Sequence, residues 1–235
     1  MMIRRRCLAI ACLALAACAT RGPVTPEPNG VNGWHGFTLP GKRSTDYRIE
    51  TKEGRRTVRA DADRSASLWR KPVALHADQL GEIQFSWWVE ALIPQASLAE
   101  AERSDAPARI VLTFGGDNSR LSLRNRLMYD LAASLSGEEP PYATLMYVWE
   151  TSAPVDSVIH SQRSDRIRKI VVESGPGELR RWRHYRRDVA ADYRRAFGEE
   201  PGPLTGVALM TDADNTQSRA LAWYGEVRLD GVPGW

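Results

Sequence analysis

Asp212, Asp214 and Asn215 fall within the run Thr211-Asp212-Ala213-Asp214-Asn215-Thr216, the richest polar cluster of the chain. Such oxygens can coordinate Ca²⁺, which takes about six to eight hard ligands, or accept sugar hydroxyls, or close an Asx turn between two strands. A calcium loop would add further acids and a glycine at fixed offsets. These are missing, so no metal and no cofactor is expected. The second chemical resource is aromatic. There are 8 Trp, and burying one indole removes roughly 150–250 Å² from water, so most must belong to a core. Trp87-Trp88 is different. Neighbours on a strand point to opposite faces, which predicts one ring in the core and the other on a sheet surface, where it can stack on a sugar ring. The expected ligand-binding set is therefore Trp87, Trp88 and Trp149 for stacking, with Asp212, Asp214 and Asn215 as hydroxyl acceptors.

Several catalytic chemistries lack their residues. No Gly-x-Ser-x-Gly elbow, phosphate-cradling Gly-x-x-x-x-Gly-Lys, dinucleotide fingerprint or His-Glu-x-x-His occurs. The histidines, His35, His76, His160 and His184, stand apart from one another. An enzyme acting on glycan would need two carboxylates across a cleft; Asp212 or Asp214 with Glu150 or Glu173 are the candidates. A purely structural envelope protein is the third class, and a noncatalytic binding domain the leading one.

The N-terminus carries an address. Arg4, Arg5 and Arg6 precede the apolar run Cys7–Leu15, too short for a membrane span, and Leu15-Ala16-Ala17-Cys18 resembles the lipobox of bacterial lipoproteins. Residues 1–17 thus read as a lipoprotein signal peptide and Cys18 as the lipidated residue. Ala19 follows it, where inner-membrane retention in such lipoproteins usually needs Asp. The expectation is an outer-membrane lipoprotein facing the periplasm, held to the membrane by its lipid and meeting cell-envelope glycan. Loss of Arg4, Arg5 and Arg6 brings the 32 basic residues level with the 29 acidic ones. A neutral domain lacks the field of a dedicated nucleic-acid binder, so no nucleic-acid partner is expected. Cleavage would also leave Cys18 as the one cysteine, with no disulfide to make.

These residues must be held by strands. After a Pro/Gly-rich tether over residues 18–33, the domain 34–235 is mostly short alternating runs: Tyr47–Thr51, Thr57–Asp61, Ser67–Trp69, Glu82–Glu90, Ala108–Phe114, Thr144–Glu150, Ile167–Ser174, Thr205–Thr211 and Ala220–Leu229. Two stretches differ. Leu123, Leu127, Leu131 and Leu135 recur every fourth residue, a stripe on one helix face that Gly137 ends. Leu179, Trp182, Tyr185, Val189, Tyr193 and Ala196 follow spacings of three and four; this is helical at least from an N-cap at Asp188, while Leu179–Arg187 suits either helix or strand. Both stripes end in Gly-Glu-Glu-Pro, at 137–140 and 198–201, read as stop signals rather than acid/base dyads. The basic run Arg180–Arg187 reads as a solvated face pairing with acids such as Glu178 and Asp192.

Asp105-Ala106-Pro107-Ala108-Arg109, Tyr147-Val148-Trp149, Arg187-Asp188-Val189 with Asp192-Tyr193, Phe197–Pro201 and Met210–Thr216 occur in an order that resembles the bacterial family called domain of unknown function 3047. The resemblance runs from Trp34 to the end and implies no activity. Ala222–Leu229 is similar to the closing strand of jelly-roll carbohydrate-binding domains, with Gly225-Glu226 where those have an acidic pair. The expected fold is mainly β: a jelly-roll, galactose-binding-like β-sandwich with two inserted helices.

Overall fold

The computed structural model describes residues 31–230. The expected leader, Cys18 and most of the tether lie outside the described residues. Hairpin turns such as Glu53-Gly54, both at positive φ, fold the alternating runs onto one another. The strands in chain order are β1 (His35–Thr38), β2 (Asp46–Lys52), β3 (Arg55–Asp63), β4 (Ser67–Leu75), β5 (Glu82–Val89), β6 (Ala106–Phe114), β7 (Ala143–Glu150), β8 (Val158–His160), β9 (Ile167–Ser174), β10 (Arg183–Asp188), β11 (Leu204–Asp212), β12 (Arg219–Tyr224) and β13 (Arg228–Leu229). Helix α1 (Leu123–Ser136) precedes β7, and α2 (Val189–Phe197) follows β10 directly. One sheet has the order β1-β4-β11-β6-β7-β9-β8; the other runs β10-β5-β12-β3-β2, with β13 beside β5. All pairs are antiparallel except β7 with β9. The fold is the expected mainly-β jelly-roll sandwich with two helices.

Eight of these strands match single runs read from sequence, and the ninth run spans two. Short β1 and β8 carry too few residues for a period to register, and Leu179–Arg187 resolves as a strand from Arg183 onward. The expected strand Ala220–Leu229 is broken: the Gly225 amide donates to the Ser86 carbonyl at 3.0 Å, which divides it into β12 and β13. A Cβ at Gly225 would sit 2.2 Å from Ser86 Oγ, so a larger residue here would have to turn the Ser86 hydroxyl aside.

The core lies between the sheets. Trp69, Leu209, Ile110, Tyr147 and Ile170 form a cross-strand row on the inner face of the seven-stranded sheet, all buried. Aromatic contacts bridge to the other sheet: Phe85 stacks on Tyr147 with centroids 5.5 Å apart, and Trp87 meets Trp149 at 6.4 Å. Offset and tilted pairs of this kind add about 0.5–1.5 kcal/mol each beyond the area they bury.

Each helix is capped as the sequence suggests. Ser122 Oγ accepts from the Asn125 amide and an Asp188 carboxylate oxygen from the Ala191 amide; Gly137 (φ 75°) and Gly198 (φ 71°) take the left-handed C-cap. Their packing differs. In α2, Val189, Tyr193 and Ala196 are buried. In α1 the four-residue stripe is left largely uncovered, Leu123, Leu127, Leu131 and Leu135 all being at least half exposed.

Candidate functional site

The outer face of the seven-stranded sheet is concave and holds a groove of about 930 Å³. Its floor consists of the residues that alternate with the core row. Arg70, Ala208, Val111, Met146 and Lys169 stand side by side across β4, β11, β6, β7 and β9. The centre of that row is aliphatic, with Leu68 and Met210 beside it. Its ends carry charge. Arg70 holds Glu138 through two hydrogen bonds of 2.8 and 2.7 Å, and α1 forms the rim above it through Tyr129, Ala132 and Ser136. At the other end the Leu98–Ser104 segment covers Lys169, whose Nζ donates to the Leu98 carbonyl and to Ser104 Oγ, both at 2.9 Å. Burial drives the Lys169 pKa down to about 7, with the nearby Arg109 charge adding to the effect.

Next to Lys169 is a buried ion pair. Arg109 on β6 and Asp212 at the end of β11 are both under 5 % exposed and approach to 2.8 Å. Asp212 also accepts from the Ala106 amide at 3.0 Å. Burial raises the Asp212 pKa to about 6 even against the opposing pull of Arg109. Beyond it, Asp214–Gln217 form the turn that carries the chain from β11 in one sheet to β12 in the other. Asp105 organises this turn from outside: its carboxylate accepts from the Asn215 and Thr216 amides and from Thr216 Oγ1. The polar run thus forms an inter-sheet turn, braced by an acid distant in sequence.

Carboxylate oxygens of Asp105, Asp212 and Asp214 lie within 4.8 Å of one another. Ca²⁺ would want their lone pairs open, yet they are engaged: Asp105 by the turn, Asp212 by Arg109, Asp214 by the Lys42 ammonium. Six or more oxygen ligands are not assembled here, and the donor set does not fit the ion.

The structure separates the sequence-read site into two groups. Asp212, Asp214 and Asn215 line the groove. The three indoles do not. Trp87 and Trp149 are fully buried in the core, with Nε1 donating to Tyr185 Oη and to the Gly175 carbonyl. Trp88 does point to the outer face of the other sheet, as alternation requires, but only 5 % of it is exposed. Trp223 meets it edge-on at 4.9 Å and Lys52 Nζ lies 3.8 Å above its ring. These contacts remove Trp87, Trp88 and Trp149 as stacking platforms for a sugar.

Glu150 and Glu173, the second carboxylates of the hydrolase reading, are also outside the groove lining. Glu150 accepts from the Leu98, Ser152 and Ala153 amides. Glu173 accepts from Tyr185 Oη at 2.9 Å and pairs with Arg183 at 3.0 Å. The basic run resolves in the same way, Arg181 and Arg183 pairing with Glu178, and Arg187 with Asp192.

A family model described as a protein of unknown function, DUF3047, matches residues 32–228. The chain belongs to this family. No curated protein matches it. Among solved structures it is similar to a family 11 carbohydrate-binding module from Clostridium thermocellum in complex with a β-1,3-1,4-mixed-linked tetrasaccharide, at 9% identity and a TM-score of 0.43 over 88% of this chain and 94% of that one. It is also similar to the xyloglucanase domain of NopAA from Sinorhizobium fredii in complex with cellobiose (9%, 0.47, covering 86% and 96%) and to the family GH12 endoglucanase 3 of Trichoderma harzianum (8%, 0.45, covering 86% and 92%).

Sequence reasoning missed Lys169, Arg109, Asp105 and the aliphatic floor of this DUF3047 member. A signal was available for two of them. Arg109 is a lone cation inside an otherwise apolar strand run, and Lys169 begins the apolar stretch Ile170–Val172 on the opposite parity to Arg168; such charges need a partner or a cleft.

Proposed function

We propose that this DUF3047 protein is a noncatalytic binding protein of the bacterial cell envelope, whose glycan-bearing ligand lies along the concave groove of the seven-stranded sheet. The observation that carries this reading is the groove itself: a concave strip five strands wide, with an aliphatic centre and hydrogen-bonding groups on either side of it. Binding sites share this division, apolar surface supplying affinity and a few fixed polar groups setting orientation. Asp214 and Asn215 stand at the rim to meet hydroxyl groups, while the paired Asp212 and Arg109 hold the wall. The absence of Glu150 and Glu173 from the groove favours binding over hydrolysis by those carboxylate pairs.

Placement at the outer membrane through a lipid on Cys18, facing the periplasm, belongs to the same proposal and rests on the Leu-Ala-Ala-Cys run and Ala19. Two experiments test it. Peptidoglycan and polysaccharide fragments titrated into the isotope-labelled protein should shift amide resonances of Val111, Met146, Ala208 and Asn215; unmoved groove amides in every titration would refute the glycan as the part of the ligand that the groove holds. Palmitate labelling in cells should disappear on Cys18→Ser, and labelling that persists would refute the anchor.

A further inference from the structure

The groove is asymmetric in charge as well as apolar at its centre. At the β4 end Arg70 and Lys71 face Glu138 and Glu139, an even balance. At the β9 end the lining cations are Lys42, Arg109, Arg163 and Lys169, against the lining acids Asp212 and Asp214, with Asp105 and Glu150 close behind them. Lys42 and Arg109 are matched by the two lining acids. Lys169 forms no ion pair among the described residues; both its hydrogen-bond partners are uncharged. An ammonium carries three donors, two of them used here; Lys169 is only 3 % exposed, beneath the Leu98–Ser104 segment, and acts on the groove through its charge. Arg109 Nε is likewise buried without an acceptor among the described residues. Between the two ends Ala208, Val111 and Met146 present neither a hydroxyl nor an aromatic ring. Four inter-strand spacings separate Arg70 from Lys169, roughly 19 Å at about 4.8 Å each.

We propose that the groove recognises an anionic single-chain amphiphile, its hydrocarbon chain lying over Ala208, Val111 and Met146 and its carboxylate or phosphate held at the Lys169 end. The proposal rests on the groove being the binding site, and it names the part of an envelope ligand that the floor contacts. A bare glycan centred on Ala208, Val111 and Met146 would find hydroxyl partners only further along the strands, at Thr113, Thr144 and Thr205, and each polar group desolvated without a partner costs about 1–3 kcal/mol. A hydrocarbon chain loses nothing there and gains about 0.8 kcal/mol per buried methylene. The anionic head finds the net positive lining of the β9 end, and its charge favours the protonated Lys169, so binding draws in a proton near neutral pH. Carboxylate and phosphate heads share this chemistry; comparing them distinguishes a fatty acid from a phospholipid-like source.

The test uses the Cys18→Ser chain purified without detergent, titrated calorimetrically below micelle concentrations with hexyl to dodecyl phosphates, the matching fatty acids, and alkyl glucosides of equal length. Affinity should tighten about fourfold per methylene until the floor is filled. At pH 6 anionic heads should bind about tenfold more tightly than glucosides of the same chain, and raising the pH to 9 should erode that preference in the unmodified site. Lys169→Met should abolish the head preference and leave the chain-length dependence. Affinity indifferent to chain length, or anionic and neutral heads binding alike at pH 6, would overturn the proposal. Oligosaccharides that shift the groove amides while alkyl chains add nothing would overturn the amphiphile and leave the groove as the binding site. Silence from both series would end both readings.

Discussion

The two faces of the seven-stranded sheet are made of the same strands and share almost no chemistry. On the inner face, Trp69, Leu209, Ile110, Tyr147 and Ile170 interlock with the aromatic residues of the opposite sheet. One residue along on each strand, Arg70, Ala208, Val111, Met146 and Lys169 make a smaller and partly charged row. Large side chains fill the space between sheets, and their absence on the other face is what leaves the groove. The contrast teaches that the Trp and Tyr mass of the inner face maintains structure, while the centre of the groove floor is aliphatic with charge at its ends.

The sharpest way to test that division is to truncate neighbours on β7. Tyr147→Ala opens a large cavity in the core and should cost about 3–5 kcal/mol, read as a loss of that size in urea unfolding. Met146→Ala removes atoms that border an open groove, so its cost should stay below about 1.5 kcal/mol. Equal losses at the two positions would mean that the outer face is as tightly packed as the inner one, and the groove would lose its standing as a site.

Arg109 tests whether the charged wall of the groove is structural. Arg109→Leu leaves the Asp212 carboxylate buried without its cation, a change that costs about 3–5 kcal/mol in such settings. The deficit should shrink as pH falls, since the mutant can protonate Asp212. Its folded pKa already stands near 6, above the usual carboxylate value, so the folded state binds the extra proton and gains stability as the pH drops through that range. Thermal unfolding of the single variant from pH 4 to 8, beside Arg109→Leu/Asp212→Leu, would reveal this. A deficit independent of pH, with no recovery in the double variant, would show that the pair is not coupled as described.

Lys169 should behave in the opposite sense. Its folded pKa lies near 7 and its unfolded value near 10.5, so the buried ammonium destabilises the fold in full below pH 7, and the penalty fades as pH climbs toward 10.5. Lys169→Met removes that penalty and forfeits two hydrogen bonds, to Leu98 and Ser104, worth about 1 kcal/mol each or somewhat more. The variant should exceed wild type by about 1 kcal/mol at pH 5 and fall below it by pH 10. Parallel stability curves across that range would place the lysine in water and remove it from the groove wall.

Much of this architecture was legible from alternation and punctuation. The strand runs, both C-capping glycines and the N-cap at Asp188 depend on residues close in sequence, and those survive into the fold. The outer face of an apolar strand is another matter. Ala106–Phe114 and Leu204–Asp212 are apolar at both parities, and Val111 and Ala208 are themselves buried beside Ala66, Met210 and Leu68, so the sequence does not separate the groove floor from the core between the sheets. Trp88 misled for the converse reason. Its outward direction followed from the period of two, whereas its covering depends on Trp223 and Lys52, which arrive from distant strands. Asp105 gave no hint of its role because the turn it braces begins at Asp214, more than a hundred residues along the chain.

The helices carry the same lesson to its smallest expected effect. Their caps match and their stripes were equally plain, yet α2 buries Val189, Tyr193 and Ala196 while α1 leaves its leucines largely uncovered and meets the domain through Asn125, Tyr129, Ala132 and Ser136. An apolar stripe declares a face and says nothing about whether this chain supplies the cover. Leu127→Gln with Leu131→Gln should therefore change stability by no more than about 0.5 kcal/mol, as at other exposed positions, and leave the far-ultraviolet dichroism intact because glutamine is a good helix former. The matched change in α2, Tyr193→Gln, buries an amide against Phe114 and Phe197 and should cost several times more. If the α1 variant lost as much as the α2 variant, its leucines would be packed against the domain, and the rim of the groove would have to be redrawn around them.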